Sequence, residues 1–541
     1  MEKIWLKHYD NWIDPKLDYP DGTLYEVFAR VAEKMGDKAC TIFLDGELTY
    51  REIKDKVDSF ASALSARGIK KGDRIVVSLP NSPQFLVAYY ALMKLGAVAV
   101  MMNPLSVERE MIFKFKDSGA RGVIALDMFY DQFIKPCRKV GLDTIIFCGI
   151  FDFHPSMQPE EPTDRDEGIL DMRSMVEAGG PEITDVEIKQ DELAVIIYTG
   201  GTTGDPKGVM QSHRNHICNS WAITTWGKFN EDDRGLVVLP LFHGFGMAVM
   251  NCMIIRGGSL LLIPRFEIVN VFELIDKYRP TIMVGVPTMY VAINNFPEKE
   301  RYDISSLRVS MSGGAPLPVS VKQEFESFSG GSLVEGFGLT ESTCAVCANP
   351  VDGINKEGSI GIPMSDTEMA LVDLDSGDSF LKQDEEGEIV LKSPTVMLGY
   401  YNNPDATRET IRNGWLHTGD IGRMDEDGYF YILDRKKEMI IAGGFNIYPK
   451  EVENILQSHP GVKEAAVIGV PDSYRGENVK AFITPREGIN LTEEEMEEFC
   501  KKNMVRYMVP RSFEFRKDLP KSPIGKILKK ELKAEEMRKQ E

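Results

Sequence analysis

Hydrophobic positions in the first part of the chain follow two periods in turn. Ile53, Val57, Phe60, Ala61 and Leu64 recur at helical spacing and Gly68 follows them, which predicts a helix with a glycine stop. Residues 23–67 as a whole read as helix, short hairpin, helix. The run Arg74-Ile-Val-Val-Ser-Leu79 is instead apolar at every position after the first except Ser78, the pattern of a buried strand. A helix over 83–95, a strand over 97–102 and further strands at 122–126 and 144–147 are expected after it. Apolar strands alternating with helices predict an α/β fold on doubly wound, largely parallel sheets.

Two breaks interrupt this rhythm. Residues 154–190 are rich in Pro, Asp and Glu and read as a surface crossover between subdomains. Strand and helix alternate again from Glu192, and the texture turns β-rich near 367–400, with strands expected at 368–373 and 388–392. The second break is the charged run Asp434-Arg-Lys-Lys-Glu438. Beyond it lies a helix from Lys450, strands at 465–470 and 480–484 and a helix near 493–502, enough for a small α/β domain of its own. The expected division is a large N-terminal domain over 1–436, with a β-rich portion, and a small mobile C-terminal domain over 437–541.

Composition narrows the classes. The chain has 541 residues, 43% hydrophobic and 27% charged, which fits an ordinary globular protein and excludes collagen-like or wholly disordered readings. Acidic residues (83) outnumber basic ones (63), and the net charge of −20 argues against general nucleic-acid binding. The longest apolar candidate, residues 247–255, stops at Arg256, so no transmembrane helix is expected. The first residues carry no signal-like apolar stretch and the last three are no recognised address. Eight scattered cysteines suit a reducing compartment, and the expected location is cytoplasmic. Cys344-Ala-Val-Cys347 has no second CxxC to complete a zinc site and reads as packing.

The strongest local signal is Tyr198-Thr-Gly-Gly-Thr-Thr-Gly-Asp-Pro-Lys-Gly208, directly after the apolar run 193–197. Thr199, Gly200, Gly201, Thr202, Thr203, Gly204 and Lys207 fall within nine residues. Glycines let backbone N–H groups approach phosphate oxygens, hydroxyls add donors and the lysine adds charge. The spacing is neither a Walker A loop nor a dinucleotide fingerprint.

This loop resembles the phosphate-binding loop of the adenylate-forming superfamily of acyl-CoA synthetases, adenylation domains and beetle-type luciferases. Four more segments match that family in order: Gly336-Phe-Gly-Leu-Thr-Glu-Ser342, Gly414-Trp-Leu-His-Thr-Gly-Asp-Ile-Gly422, Asp434-Arg-Lys-Lys-Glu-Met-Ile-Ile-Ala-Gly-Gly-Phe-Asn-Ile-Tyr-Pro449 and Pro520-Lys-Ser-Pro-Ile-Gly-Lys526. The resemblance implies ATP, Mg²⁺ and coenzyme A as ligands. It implies that Lys207 and its loop hold the β- and γ-phosphates, that Thr340 contacts a phosphate, and that Glu341, with Thr199 as a second contact, holds the metal. Gly313-Gly-Ala-Pro316 resembles the adenine strip, with Gly314, Ala315, Pro316, Gly336, Phe337 and Gly338 beside it. Asp420 and Arg435 would bind the ribose, Lys437 would be the hinge, Gly443 and Gly444 would line the CoA path, and Lys526 would act in adenylation. The family often has Tyr where Phe337 stands, so a ring remains for adenine while a hydroxyl is lost.

Plainer readings exist for single residues: a helix-start acid for Glu341, a turn cap for Asp420, a surface ion pair for Asp434 with Arg435, a linker charge for Lys437 and a structural role for His417. His243 is expected to line the acyl site with Met247, Gly313 and Cys344, in segments whose small apolar residues suit an alkyl chain. The resemblance implies an ATP-dependent fatty acid–CoA ligase, releasing AMP and pyrophosphate and favouring medium to long chains. An aryl-CoA ligase of the 4-coumarate type is the alternative. A luciferase-like oxygenase and a nucleotide-binding regulator without catalysis rank below. Small molecules are the expected partners, with peripheral membrane contact and a homodimer left open.

Overall fold

The structure is a computed structural model that describes residues 3–159, 166–183, 186–199, 206–442, 445–472, 475–521 and 527–540. The chain divides into two units, Met1–Glu368 with Lys392–Leu416, and Met369–Leu391 with His417–Glu541.

Helix ends in the first unit follow from local chemistry. Thr23 caps Leu24–Met35 and Thr49 caps Tyr50–Ala66, each in a reciprocal pair with the glutamate three residues on. Pro83 opens Pro83–Leu95, whose apolar residues are buried around nearly the whole helix, and left-handed Gly96 closes it.

Two sheets organise this unit. One holds eight strands in the order Gly399–Tyr400, Lys207–Ser212, Leu193–Thr199, Val98–Met101, Arg74–Ser78, Gly122–Leu126, Thr144–Cys148 and Leu170–Asp171. From Leu193–Thr199 onward neighbours are parallel, whereas the first two join antiparallel. The other holds nine, with Ser332–Gly338, Val309–Ser312, Ile282–Gly285, Arg234–Val237, Ser259–Leu262 and Ala39–Phe43 as its parallel centre. Val76, Val100, Val123, Phe133 and Ile196 form one core, and Ile42, Leu236, Leu261, Phe272 and Tyr290 another. Each fully buried side chain of this kind contributes about 1.5–3 kcal/mol relative to exposure. Segments that follow Thr199, Ser312 and Gly338 all leave carboxyl ends of strands, where α/β sheets present ligand sites.

The mixed α/β architecture agrees with the expectation from sequence. One segment differs. Within 154–190, the short strand Leu170–Asp171 and the helix Met172–Ala178 stand where a plain crossover was expected. Met172 and Met175, one helical turn apart, are buried, and their apolar pairing outweighs the polar composition around them.

The second unit carries two sheets. In one, Gly387–Lys392 lies between Glu368–Val372 and Trp415–Met424, and Trp415–Met424 also pairs with Phe430–Arg435. In the other, Gly476–Pro485 forms a long hairpin with Val462–Asp472 and pairs along its other edge with Ile440–Ala442 and Ser512–Phe515. Pro449–Gln457 and Glu493–Asn503 cover a core that includes Val452, Leu456, Ala465, Val467, Ile483 and Cys500. All eight cysteines are buried as thiols, in keeping with the packing role read from sequence. No helix among the described residues is long and apolar enough to cross a membrane.

Candidate active site

Thr199 and Lys207 are paired residues at the turn end of the hairpin formed by Leu193–Thr199 and Lys207–Ser212. Gly200, Gly201, Thr202, Thr203 and Gly204, expected in the phosphate loop between them, lie outside the described residues, as do Gly443, Gly444 and Lys526. Half-buried Lys207 sets its ammonium 4.8 Å from the ring centroid of Tyr400, which sits on the strand beside it. The Tyr400 hydroxyl donates to Glu341 Oε1 at 2.8 Å. Burial and this carboxylate both raise the phenol's pKa, so it stays a donor. One tyrosine thereby joins the cation of that hairpin to the carboxylate expected to hold a metal.

The Thr340–Ser342 turn is held by neutral hydrogen bonds. Gln211 Nε2 donates to the Thr340 carbonyl at 2.8 Å, and Met397 N–H donates to the Glu341 carbonyl at 2.8 Å. Ser342 Oγ accepts from Leu339 N–H at 3.0 Å. Thr343 takes φ of 69°, unfavourable for a β-branched residue, and its hydroxyl donates to the Thr395 carbonyl at 2.7 Å. Strain of this sort costs roughly 1–3 kcal/mol and persists where surroundings impose it, often at functional sites. Gly338 is required on packing grounds, since a Cβ there would lie 1.7 Å from the Cys344 carbonyl oxygen.

The expected adenine strip follows Val309–Ser312. Gly314 has φ of +81°, Gly314, Ala315 and Pro316 are exposed, and buried Gly313 lies against the Phe245 ring. Gly336 and buried Phe337 continue the neighbouring strand. Leu317 N–H donates to Glu335 Oε1 at 3.2 Å, and burial lifts this carboxyl to about 7 against the pull of that amide. His243 stands at the N-terminus of Gly244–Arg256. It reaches solvent, yet surrounding protein lowers its pKa, the mark of a side chain in a concavity. Met247 and Cys344 are buried.

Asp420 and Arg435 belong to the second unit. They face each other across the Trp415–Met424 and Phe430–Arg435 pairing, with Arg435 Nε 2.6 Å from Asp420 Oδ1. Asp420 is almost fully buried and Arg435 half-exposed. Arg435 therefore pairs across the sheet with Asp420, whereas Asp434 accepts from the Arg435 and Lys450 N–H groups at 2.7 Å each. Lys437 is exposed beyond the strand end, and His417 is buried 3.5 Å from Glu388.

Tyr400, Gln211 and Glu335 were not anticipated. The signal nearest to hand was the aromatic pair Tyr400-Tyr401 after Gly399, far along the chain from Glu341, with no spacing rule to join them.

With a cation, a carboxylate and an exposed glycine strip at strand ends, the first unit defines a nucleotide-activating class of enzyme. Residues 28–401 match the AMP-binding enzyme family and residues 451–526 its C-terminal domain. The chain belongs to the AMP-binding enzyme family. It is 39% identical to a long-chain-fatty-acid–CoA ligase of Bacillus subtilis (strain 168), over 99% of this chain and 98% of that one. It is 35% identical to 4-coumarate:CoA ligase 1 of Petunia hybrida, over 91% of this chain and 88% of that one. Among solved structures, ATP-bound MatB from Rhodopseudomonas palustris superposes with a TM-score of 0.85 at 29% identity, covering 95% of this chain and 99% of that one.

Proposed function

We propose that the protein is an ATP-dependent fatty acid–CoA ligase, an AMP-forming acyl-CoA synthetase working through an acyl adenylate. The observation that carries the nucleotide half of this reading is Lys207 over one tyrosine whose hydroxyl holds Glu341. The full-length likeness to a long-chain ligase supports the choice of acid.

A carboxylate is a poor acyl donor because oxide is a poor leaving group. Attack of a carboxylate oxygen on the α-phosphorus of ATP forms an acyl–phosphate bond and expels pyrophosphate. Coenzyme A thiolate then attacks the acyl carbon, the thiol proton passes to solvent and AMP leaves. Charge develops on phosphoryl oxygens in the first step, where Lys207 and Lys526 would stabilise it with Thr340 and the loop from Thr199. Removing one such donor typically costs about 3 kcal/mol.

The donor set fits Mg²⁺, which is commonly bound by one or two carboxylates together with substrate phosphates, and Glu341 is a partly exposed carboxylate at this place. Mg²⁺ held by Glu341, with Thr199 as second contact, would neutralise phosphate charge. Gly314, Ala315, Pro316, Gly336, Phe337 and Gly338 take adenine in this reading, and Asp420 with Arg435 the ribose. His243, Met247, Gly313 and Cys344 line the acyl site, Gly443 and Gly444 the path of the CoA arm. The hinge at Lys437 separates domains 1–436 and 437–541. We infer a cytoplasmic enzyme.

The test is AMP release with ATP and Mg²⁺ across acids from acetate to oleate, plus benzoate and 4-coumarate, with and without CoA. CoA-dependent turnover peaking at an alkyl acid is expected. A peak at an aryl acid would establish the second reading, favoured by the likeness to 4-coumarate:CoA ligase 1. AMP release indifferent to CoA would overturn the thioester step.

A further inference from the structure

Lys529 opens the helix Lys529–Gln540 and is nearly buried, with 14% of its side chain exposed. Its ammonium lies 2.8 Å from Glu453 Oε1 and 3.0 Å from Glu438 Oε2. Glu453, on Pro449–Gln457, also accepts from Val467 N–H at 2.9 Å, so one carboxylate ties helix, hairpin and lysine together. Glu438 stands one residue after the expected hinge Lys437. Neighbouring Asp434 adds a third negative charge, and the three acids raise the pKa of Lys529 despite its burial. So buried a lysine tolerates its charge only because carboxylates surround it.

Lys529 follows Lys526 by three residues, a reach of at most about 10 Å. Lys521 and Ile527 form a neck. They pair as an antiparallel bridge, and Leu528 N–H donates to the Pro520 carbonyl at 2.8 Å. Lys521 pairs with Glu464 at 2.6 Å on one side, and Lys529 is clamped on the other. Leu519 and Leu532 bury beneath this neck against Phe482 and Ile468.

We propose that Lys529 is a positioning residue for adenylation: through Glu453 and Glu438 it fixes the returning arm of the segment that carries Lys526 to the chain just past the hinge. This rests on the adenylation role proposed for Lys526. Lys529 itself touches no substrate in this assignment. It limits where Lys526 can stand, and misplacement of a reacting group by about 1 Å can cost 100-fold.

The test separates the half-reactions in the full-length enzyme. Lys529→Met should lower the rate of carboxylate-dependent adenylate formation by about 10- to 100-fold, with KM for ATP and the reaction of CoA with supplied acyl adenylate each within about threefold of the parent. Lys529→Arg should restore the rate. Glu453→Gln keeps an acceptor for Val467 N–H and should give a similar loss. The double variant Lys529→Met with Glu453→Gln removes both buried charges, so it answers the question even where the single variant unfolds, and it should be no slower than either. Equal loss in both half-reactions, failure of arginine to rescue, or additive losses in a folded double variant would overturn the proposal. Lys526→Ala distinguishes the two assignments. An inactive Lys526→Ala beside a fully active Lys529→Met would overturn the role of Lys529 alone. Full adenylation by Lys526→Ala would remove the reading on which that role rests.

Discussion

The wall around Thr340 and the segment around Asp434 are both crowded with polar groups, but they are joined by different chemistry. Around that wall and at the strand ends near Asn81 the joints are neutral and closed. Asn81 shares its amide protons among the carbonyls of Val237, Leu239 and Ile263 at 3.0–3.1 Å and accepts from Leu241 N–H at 2.9 Å. Asn215 donates to the Pro394 and Val396 carbonyls, and Gln211 to that of Thr340. In the second unit the joints are ionic: Arg435 with Asp420, Lys436 with Glu388, and Lys529 with Glu438 and Glu453. A buried amide that loses its partners leaves orphans that water does not reach. Ions that part regain hydration, so an ionic joint suits the hinge proposed at Lys437 and a neutral one suits a fixed wall.

The largest expected effect lies in the chemistry set on that stiff wall. Lys207→Ala should slow adenylate formation about 100- to 1000-fold, with thermal stability unchanged, because the half-buried ammonium lends charge and little packing. Tyr400→Phe keeps the ring under Lys207 and removes the bond to Glu341, so a loss of about tenfold is expected, the equivalent of one hydrogen bond to a charged group. Single-turnover pyrophosphate release measures both. Equal losses would mean that Lys207 acts through Tyr400 and not directly.

Next in size is the wall itself. Asn81→Ala should destabilise by about 3 kcal/mol, since several buried carbonyls and the Leu241 amide lose their partner together. Denaturant midpoints should show the same cost in low and high salt. A cost that shrank with salt would break the neutral half of the comparison.

Glu335 is a further carboxyl beside this wall, half-buried and answered by the Leu317 amide. Folded, it keeps its proton up to about pH 7, against about 4.5 when unfolded. Between those values the folded chain binds more protons, so stability falls as pH rises from 4.5 to 7, and the full cost remains above 7. Glu335→Gln keeps an acceptor for Leu317 and should be more stable than the parent at pH 8, by at most about 3 kcal/mol, and equal to it near pH 4. Melting curves at the two pH values check this, and a parent and variant that track each other across the range would refute it.

Much of this was legible in the sequence for a physical reason. Strands buried on both faces must be apolar throughout, so Arg74–Ser78, Val98–Met101 and Gly122–Leu126 are visible as runs. The expected phosphate loop shows because glycine, threonine and lysine crowd nine residues. Tyr400 and Asn81 were illegible because their partners lie far along the chain and neither side chain is unusual where it stands. The helix Met172–Ala178 was hidden by its acidic surroundings, since composition averages over residues while burial selects two methionines. The plainer alternative, a surface ion pair of Arg435 with adjacent Asp434, fails because strand neighbours point to opposite faces, and the cross-strand residue Asp420 takes the ion pair.

The smallest effect tests the ionic half directly. Raising salt from 0.1 M to 1 M shortens the Debye length from about 10 Å to 3 Å. Amides held by the charged joints are those of Lys450, on Asp434, and Val467, on Glu453. The amide held by the neutral joint is Leu241, on Asn81. Hydrogen exchange of Lys450 and Val467 should quicken with salt by no more than about fivefold, the equivalent of about 1 kcal/mol, because these pairs are partly buried and screened less than surface ones. Exchange of Leu241 should not change. Quickening at all three sites would mean that salt acts on the whole fold, and the contrast between a neutral wall and an ionic joint would lose its physical basis. Quickening confined to Lys450 and Val467 would show that the joint beside Lys437 can be loosened without touching the wall that carries Lys207 and Glu341.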